Sequence, residues 1–312
     1  MAYRITNSML VNHFNKNLHT NMSRMDKYQT QMATSRKITR LSDDPVNVMK
    51  SLSARSRLSS LEQYQRNLSD AQSWLTQSET AAGELNEIIK RLYELSVSLS
   101  NEVKTPEDRQ AAAFEIKELM AQVVIVGNTT LGDKYLFGGY NVTSAPFAVN
   151  ADGDLTFNGL SMVDPSVRGQ LEALDDIIHY EIGFGIDMPI QISGVNLMGV
   201  DGRNIYERIK EFYMVASSDE MMEINPYIDI MQDLQRNVLS VMAEIGGRQN
   251  RLDMMKERFA QDVINYTQMK SDVEDLDMAE AIMNYSMAEA VYRAALSVGG
   301  RILQPTLVDF MR

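Results

Sequence analysis

Apolar residues recur every three or four positions at both ends of this chain. The C-terminal series alternates large and small side chains: Met278, Ala281, Tyr285, Ala288, Tyr292, Ala295, Gly299 and Ile302. This spacing predicts a helix with a heptad seam. A second apolar row lies beside the seam and widens the apolar face: Met287, Val291, Ala294 and Val298. We therefore expect this helix to have partners on more than one side.

The N-terminal series has the same spacing and supplies a candidate partner helix. Its members are Val11, Phe14, Leu18, Asn21, Met25, Tyr28 and Met32. Asn21 is the one polar member, and a buried asparagine in such a seam can fix its register at some loss of stability. Asn21 pointing to solvent is an equally good interpretation. Seams at both chain ends predict that the chain returns to the end of the molecule from which it started.

Two long helices are predicted to follow the N-terminal seam. Residues 34–46 break the pattern, and Ser42 or Asp43 is expected to cap a helix that has Pro45 in its first turn and reaches about residue 100. The next helix begins with a capping-box pattern at Thr105 and ends at Gly127. The two are expected to form an antiparallel hairpin.

The longest seam covers residues 231–276. As one helix it would extend ~69 Å, whereas a compact globule of this chain length would measure only ~50 Å across. The sequence therefore predicts an elongated coiled-coil rod. The seam shifts its phase across residues 275–277, which predicts a joint between this helix and the C-terminal one.

Residues 140–202 have a different character, with many glycines and short alternating runs such as 155–157 and 188–192. Asp152 and Gly153 form a hairpin-turn signal. A short helix is expected at 203–216. The predicted fold class is mainly α with an inserted β domain. Its three parts are the terminal helices (1–40 and 277–312), the rod (41–139 and 203–276) and a small β domain (140–202).

The residue counts and the motifs of the sequence exclude several kinds of functional site. The 312-residue chain has no cysteine, so disulfides and thiolate metal sites are excluded, and its three histidines give no zinc cluster. No apolar run approaches bilayer length, and the first residues lack the core of a cleaved signal peptide. No phosphate loop, dinucleotide fingerprint or nucleophile motif is present, so we expect neither catalysis nor a cofactor.

Charge is unevenly distributed along the chain. The net charge is -12, yet residues 1–60 carry ten basic and three acidic side chains, a balance of +7. A basic N-terminal region could bind nucleic acid. Its charges are dispersed among seam residues, however. Pairing with the acidic tract at 272–280, in the same or a neighbouring chain, is therefore the better interpretation.

The terminal helices are predicted to be weakly stable alone. Ordering 25 residues opposes folding by ~25–50 kcal/mol of backbone entropy, and a seam of alanine and glycine buries little area in return. Pairing the two terminal helices with each other is expected to leave the second apolar row exposed. We expect both ends to be loose in the monomer and to become ordered in an assembly. An ordinary two-helix pairing inside the monomer is the alternative.

Five stretches, spread over both ends and the predicted rod, resemble the flagellin family. They are RITNSM at 4–9, LSDDP at 41–45, NTTLGDKYLFGG at 128–139, GGRQNRL at 246–252 and DMAEAIMNYSMAEAVY at 277–292. Within the family, the segments at 182–187 and 193–199 resemble the subunits that join the flagellar hook to the filament. The long Ser/Thr/Ala-rich centre common in flagellins is absent.

The resemblance implies a structural subunit of an adaptor ring, with the terminal helices in the inner tube and the inserted β domain facing outward. Its partners would be hook-associated protein 1, flagellin, copies of itself and an export chaperone bound to the C-terminal helix. It would be exported by the flagellar type III apparatus without a cleaved signal and remain extracellular, without membrane or nucleic-acid partners. The seam residues at both chain ends would make the subunit contacts. A minor flagellin or an unrelated coiled-coil scaffold are the alternatives.

Overall fold

The computed structural model describes residues 7–100, 105–174, 176–200, 204–218 and 224–302. The described chain is mainly helical with a small β region, as predicted. The long helices are α1 (Asn7–Thr34), α2 (Pro45–Leu99), α3 (Pro106–Gly127), α7 (Asn225–Glu274) and α8 (Met278–Ile302). The short helices are α4 (Arg168–Leu174), α5 (Gly194–Met198) and α6 (Ile205–Ser217). Arg203, predicted to open α6, lies outside the described residues, and Asn204 caps this helix.

Capping side chains explain where α2 and α3 begin. The α3 capping box is confirmed, because the Asp108 amide donates to Thr105 Oγ1 at 3.2 Å and the Thr105 amide donates to Asp108 Oδ2 at 3.2 Å. The predicted cap of α2 was wrong. Asp44 rather than Ser42 or Asp43 accepts from the Asn47 amide, at 3.1 Å, because it directly precedes the first helical residue.

Helices α2 and α7 run antiparallel through side-chain contacts at successive levels. The Tyr64 and Phe259 rings are 6.0 Å apart, and Gln249 donates to Glu79 at 2.8 Å. Further along, Gln232 donates to the Tyr93 hydroxyl at 3.3 Å. Fully buried leucine and isoleucine side chains of α2 fill the core at the seam positions: Leu75, Leu85, Ile89 and Leu92.

The α2–α3 hairpin is also observed. Helix α3 runs back antiparallel to α2, and the Arg91 guanidinium on α2 bonds the Glu115 carboxylate on α3 at 2.5 Å. The inner face of α3 is buried.

The β region consists of three small antiparallel sheets. The strands are β1 (Thr130–Leu131) with β2 (Lys134–Tyr135), β3 (Phe147–Val149) with β4 (Leu155–Phe157) and β5 (Leu160–Ser161), and β6 (His179–Gly183) with β7 (Ile186–Pro189). The β3–β4 turn passes through Asp152 and Gly153, whose φ of 79° favours glycine. Phe147 and Phe157 pack against each other in a shared buried core, with ring centroids 5.3 Å apart. The region is thus wider than the predicted 140–202 segment, because β1 and β2 precede it.

The described residues fall into two compact units, one made of those within 1–60 and 261–312 and the other of those within 61–260. The predicted joints are confirmed as helix boundaries, since α1 ends at Thr34 before α2 begins, and α7 ends at Glu274 before α8 begins. The compact units divide inside α2 and α7 instead. The three-part domain assignment therefore stays a prediction.

Candidate functional site: the paired terminal helices and their joint

Helices α1 and α8 pack side by side within the first compact unit. Near one end of the pair, the Phe14 ring lies directly on the backbone of Gly299, where any added Cβ would overlap the ring. Gly299 and Ala281 are buried, whereas Gly300 has open space around its Cα. Small residues in the α8 seam therefore let a large aromatic side chain of α1 approach the helix backbone.

The two predicted seams face each other in this pair. On α1 the seam residues are half-buried: Val11, Phe14, Leu18, Asn21, Met25 and Tyr28. On α8 the half-buried seam residues are Tyr285, Ala288, Tyr292 and Ala295, while Met278 is exposed. The side chain of Ile302, the last residue of α8, lies outside the described part. The seams thus meet inside one chain, and their role as a contact between subunits stays a prediction.

The second apolar row of α8 is exposed, as expected from the sequence. Met287, Val291 and Val298 have exposed fractions of 58%, 52% and 53%, and Ala294 is also exposed. Sequence reasoning did not single out Ile282 and Leu296, two more exposed large apolar residues on this helix. By their spacing these two residues lie on a different face of α8 from the second row, which is itself continuous along the helix. A continuous exposed apolar row marks a site of contact with another molecule.

The joint between the terminal helices and the long helices contains a buried carboxylate. Glu274, the last residue of α7, accepts from Arg55 Nε at 2.7 Å and from Arg55 Nη2 at 2.6 Å. Ser51 Oγ donates to the same carboxylate. These donors, chiefly the Arg55 guanidinium, lower the pKa of Glu274 to about 2. The ion pair therefore fixes the end of α7 to the start of α2.

Backbone hydrogen bonds connect the linker between α1 and α2 (residues 35–44) to the end of α7 and to the linker between α7 and α8 (residues 275–277). The Lys37 amide donates to the Glu274 carbonyl at 2.7 Å, and the Leu276 amide donates to the Ser35 carbonyl at 3.3 Å. Ser35 adopts a left-handed conformation with φ of 54°. Buried Gln31 on α1 also donates to the Lys37 carbonyl, at 2.6 Å. The linkers are thus held antiparallel by specific polar contacts.

A second ion pair ties α1 to the linker before α2. Lys27 Nζ lies 3.1 Å from Asp43 Oδ1, which holds the pKa of Asp43 below its ordinary value. The Arg40 amide also donates to Asp43, at 3.1 Å. Asp43 therefore shapes this linker, whereas the sequence suggested a helix cap.

Sequence reasoning missed the joint network because its members are polar and far apart in the chain. Ser51 and Arg55 share a helix face at i and i+4, which the sequence does show. Their partner Glu274 lies 219 residues after Arg55, and no local pattern links the two. The only available signal was that Glu274 directly precedes the predicted joint.

A cleft of about 930 Å³ lies between α5, α6 and α7 in the second compact unit. Two of its arginines are already paired on their own helices, Arg208 with Glu211 at 2.9 Å and Arg236 with Asp233. No group of three potential metal ligands occurs among the described residues. In the same part of the chain, no helix is long and apolar enough to cross a membrane. The exposed apolar row of α8 is therefore the candidate functional surface in the described part of the chain.

Comparison with protein families matches both ends of the chain. The bacterial flagellin N-terminal helical region matches residues 5–142, and the bacterial flagellin C-terminal helical region matches residues 228–311. Together these matches cover more than half of the chain, including α1, α2, α3, α7 and α8. The chain belongs to the flagellin family.

Flagellin-family relatives of two kinds align with nearly the whole chain. Flagellar hook-associated protein 3 of Escherichia coli K12 is 24% identical over 287 residues, covering 86% of this chain and 87% of the relative. The flagellar filament 30.7 kDa core protein of Treponema maltophilum is 22% identical over 303 residues, covering 93% of this chain and 94% of its own. Sequence identity therefore does not separate a hook-associated subunit from a filament subunit.

Solved structures of flagellar proteins share the fold. A putative flagellar hook-associated protein from Vibrio parahaemolyticus superposes with a TM-score of 0.65 at 22% identity, covering 75% of this chain and all of that one. Flagellar hook associated protein-3 from Legionella pneumophila gives a TM-score of 0.62 at 12% identity, covering 70% of this chain and 98% of its own. The long helices with an inserted β region are thus a fold that this flagellin-family chain has in common with these proteins.

Proposed function

We propose that this chain is a structural subunit of the ring that joins the flagellar hook to the flagellin filament. The observation that carries the proposal is the apolar row Met287, Val291, Ala294 and Val298, which remains exposed after α8 has paired with α1. A helix with so wide an apolar face needs further helices beside it. Neighbouring subunits packed around a common axis would supply them.

The position at the junction is supported by the names of relatives and of proteins with the same fold. Relatives from Escherichia coli and Salmonella typhimurium are named flagellar hook-associated protein 3, and a solved structure from Legionella pneumophila is described as a flagellar junction protein. We infer that hook-associated protein 1 lies on one side of the ring and flagellin on the other. Copies of this chain complete the ring.

The proposed mechanism is mechanical. Ala281, Ala288, Ala295 and Gly299 permit close approach of helices, and Tyr285 and Tyr292 fill the spaces between them. One surface of the ring would match the flexible hook side and another the stiffer filament. We assign no catalytic step to the chain.

The exposed row also has a consequence before assembly. Free subunits that expose such a surface tend to aggregate, so a binding protein that covers α8 would keep the chain soluble. We infer that a flagellar export chaperone fills this role and that the chain leaves the cell through the flagellar type III apparatus. Its final location is then the extracellular flagellum.

A filament subunit is the second candidate. It is favoured by the filament core protein of Treponema maltophilum, which matches this chain over as great a length as the hook-associated relatives do. Both candidates use the same exposed row for contacts between subunits. They differ in the effect of deleting the gene, because only loss of a junction subunit would leave hooks without filaments.

The experiment that separates them uses a strain of the source organism that lacks this gene. Hooks are imaged by electron microscopy, and free flagellin in the culture medium is measured. Bare hooks with abundant flagellin in the medium are expected for a junction subunit, because export continues while attachment fails. Attached filaments of normal number and length would exclude the junction role and leave a minor filament subunit.

A further inference from the structure

The start of α2 exposes an apolar patch that nothing in the described chain covers. It comprises Leu41, Val46, Met49 and Leu52, whose exposed fractions are 72%, 67%, 68% and 49%. Four large apolar side chains within twelve residues form a surface of the kind that marks a contact site. Val46, Met49 and Leu52 follow one another at three-residue intervals and therefore share one helix face.

This patch borders a cleft of about 190 Å³ with a basic rim. Leu41 and Leu52 are among the apolar residues that line it, and Arg36 and Arg40 are exposed at its edge. The Glu274 carboxylate in the lining is already neutralised by Arg55. The cleft therefore suits an apolar side chain that has carboxylates on either side.

The same chain presents a segment with this chemistry. Met278 is 42% exposed, and the neighbouring acidic residues Asp277 and Glu280 are also exposed, whereas Asp275 already lies opposite Arg36 of its own chain. Methionine is unbranched and flexible, so it fits irregular gaps. Met278 does not line the cleft of its own chain. Because contact between two different surfaces of one chain repeats from copy to copy, the occupant considered is this segment of a neighbouring copy.

The overall charges of the two regions agree with this pairing. Residues 1–60 have a net charge of +7, whereas residues 261–312 contain eight acidic and four basic side chains, a balance of -4. Opposite charges on two surfaces steer their approach and set the register of the contact. Two different surfaces of one chain that bind each other generate a ring or a helical array.

We propose that Met278 and its acidic neighbours dock into the arginine-rimmed cleft of the next copy. This inference rests on the proposed function in that it requires copies of the chain to assemble. It adds a second contact to the one made by the α8 apolar row. The contact would link the joint of one subunit to the joint of the next.

The absence of cysteine allows a direct test by disulfide cross-linking. The full chain carrying both Leu41→Cys and Met278→Cys is expressed in the gene-deletion strain, and the intact flagella are oxidised. Head-to-tail contact is expected to give a ladder of dimers, trimers and larger species on a denaturing gel. The control chain carries Met254→Cys, at a position that is 64% exposed in the second compact unit, together with Met278→Cys. No ladder, or an equal ladder from the control, would overturn the proposal.

A charge exchange in the same cysteine chain tests the chemistry of the contact. Arg40→Glu is expected to weaken the ladder about fivefold, since like charges would then meet. Adding Glu280→Arg to that chain restores opposite charges at every contact and is expected to restore the ladder. A ladder unaffected by Arg40→Glu, or not restored by the second change, would contradict the charge pairing.

Failure of this inference can be distinguished from failure of the junction role. Filaments that stay attached to hooks without any ladder would overturn the docking contact alone. If the deletion strain attaches its filaments normally without this gene, while the cysteine chain expressed in that strain still forms the ladder, the junction role alone is overturned.

Discussion

At the scale of single residues, two positions determine how the terminal helices are held. Gly299 lets the Phe14 ring reach the backbone of α8, and Glu274 anchors the end of α7 to α2 through Arg55 and Ser51. The first was included in a seam predicted from the sequence. The second was not, because a buried carboxylate with distant partners leaves no periodic signal.

Replacing Gly299 by valine is expected to disturb the α1–α8 pair, because its side chain would overlap the Phe14 ring. Gly300→Val is the matched control, since it makes the same change in helix propensity but has open space around it. We expect an additional loss of about 1–3 kcal/mol at Gly299. The temperature at which filaments detach from cells measures the effect, and equal values for the two variants would refute the predicted packing.

Glu274→Gln is expected to weaken the joint in a pH-dependent way. Its folded-state pKa of about 2 lies below the ordinary value of 4.5, so the charged carboxylate stabilises the fold above about pH 4.5 and loses this effect as pH falls towards 2. At pH 7 we expect a loss of about 1–3 kcal/mol, reduced from the full shift because Arg55 is partly exposed.

Hydrogen exchange of residues 262–274 at pH 7 and at pH 3 measures this loss. The difference between wild type and Glu274→Gln should shrink at pH 3. Glu257→Gln, at an exposed position on the same helix, is the control and should change little. A pH-independent difference would show that the carboxylate charge is not what holds the joint.

At the scale of elements, the sequence predicted the helices well where local chemistry sets their ends. The Thr105 and Asp108 capping box and the phase shift at 275–277 both mark true helix boundaries. The β region was harder, since its sheets have two or three short strands and their pairing depends on a shared aromatic core. The sequence predicted that the α8 seam packs against another helix seam. It does not show whether the same seam also contacts neighbouring subunits.

The terminal helices are expected to become fully stable only in the assembly. In a dilute solution of the full chain, amides of α1 and α8 should exchange rapidly, because the alanine-rich seam buries little area. In isolated flagella they should be protected, while residues 71–92 of α2, with a fully buried core row, should be protected in both samples. Strong protection of residues 278–302 in the dilute chain would contradict this and favour a stable pair within the monomer.

At the scale of the whole molecule, the first compact unit contains one helix from each chain end together with the adjoining ends of α2 and α7, and residues 61–260 form the second. Membership of the flagellin family explains why the matched regions lie at the two ends. The sequence could predict this organisation because a heptad seam is a local spacing pattern, which can be recognised without knowing which distant residues meet in the fold. It could not predict the joint network or the cleft beside it, since both require residues that only folding brings together.

The central claim is that the exposed row of α8 joins this chain to its neighbours. The most direct measurement expresses Val291→Glu in the gene-deletion strain and counts hooks that carry filaments. Val291 is 52% exposed, so a carboxylate there should leave the chain folded while placing a charge in the proposed contact. Ser297→Glu, at an exposed polar position on α8, is the matched control. We predict bare hooks and free flagellin with Val291→Glu and attached filaments with the control; attached filaments in wild-type numbers with Val291→Glu would contradict the account.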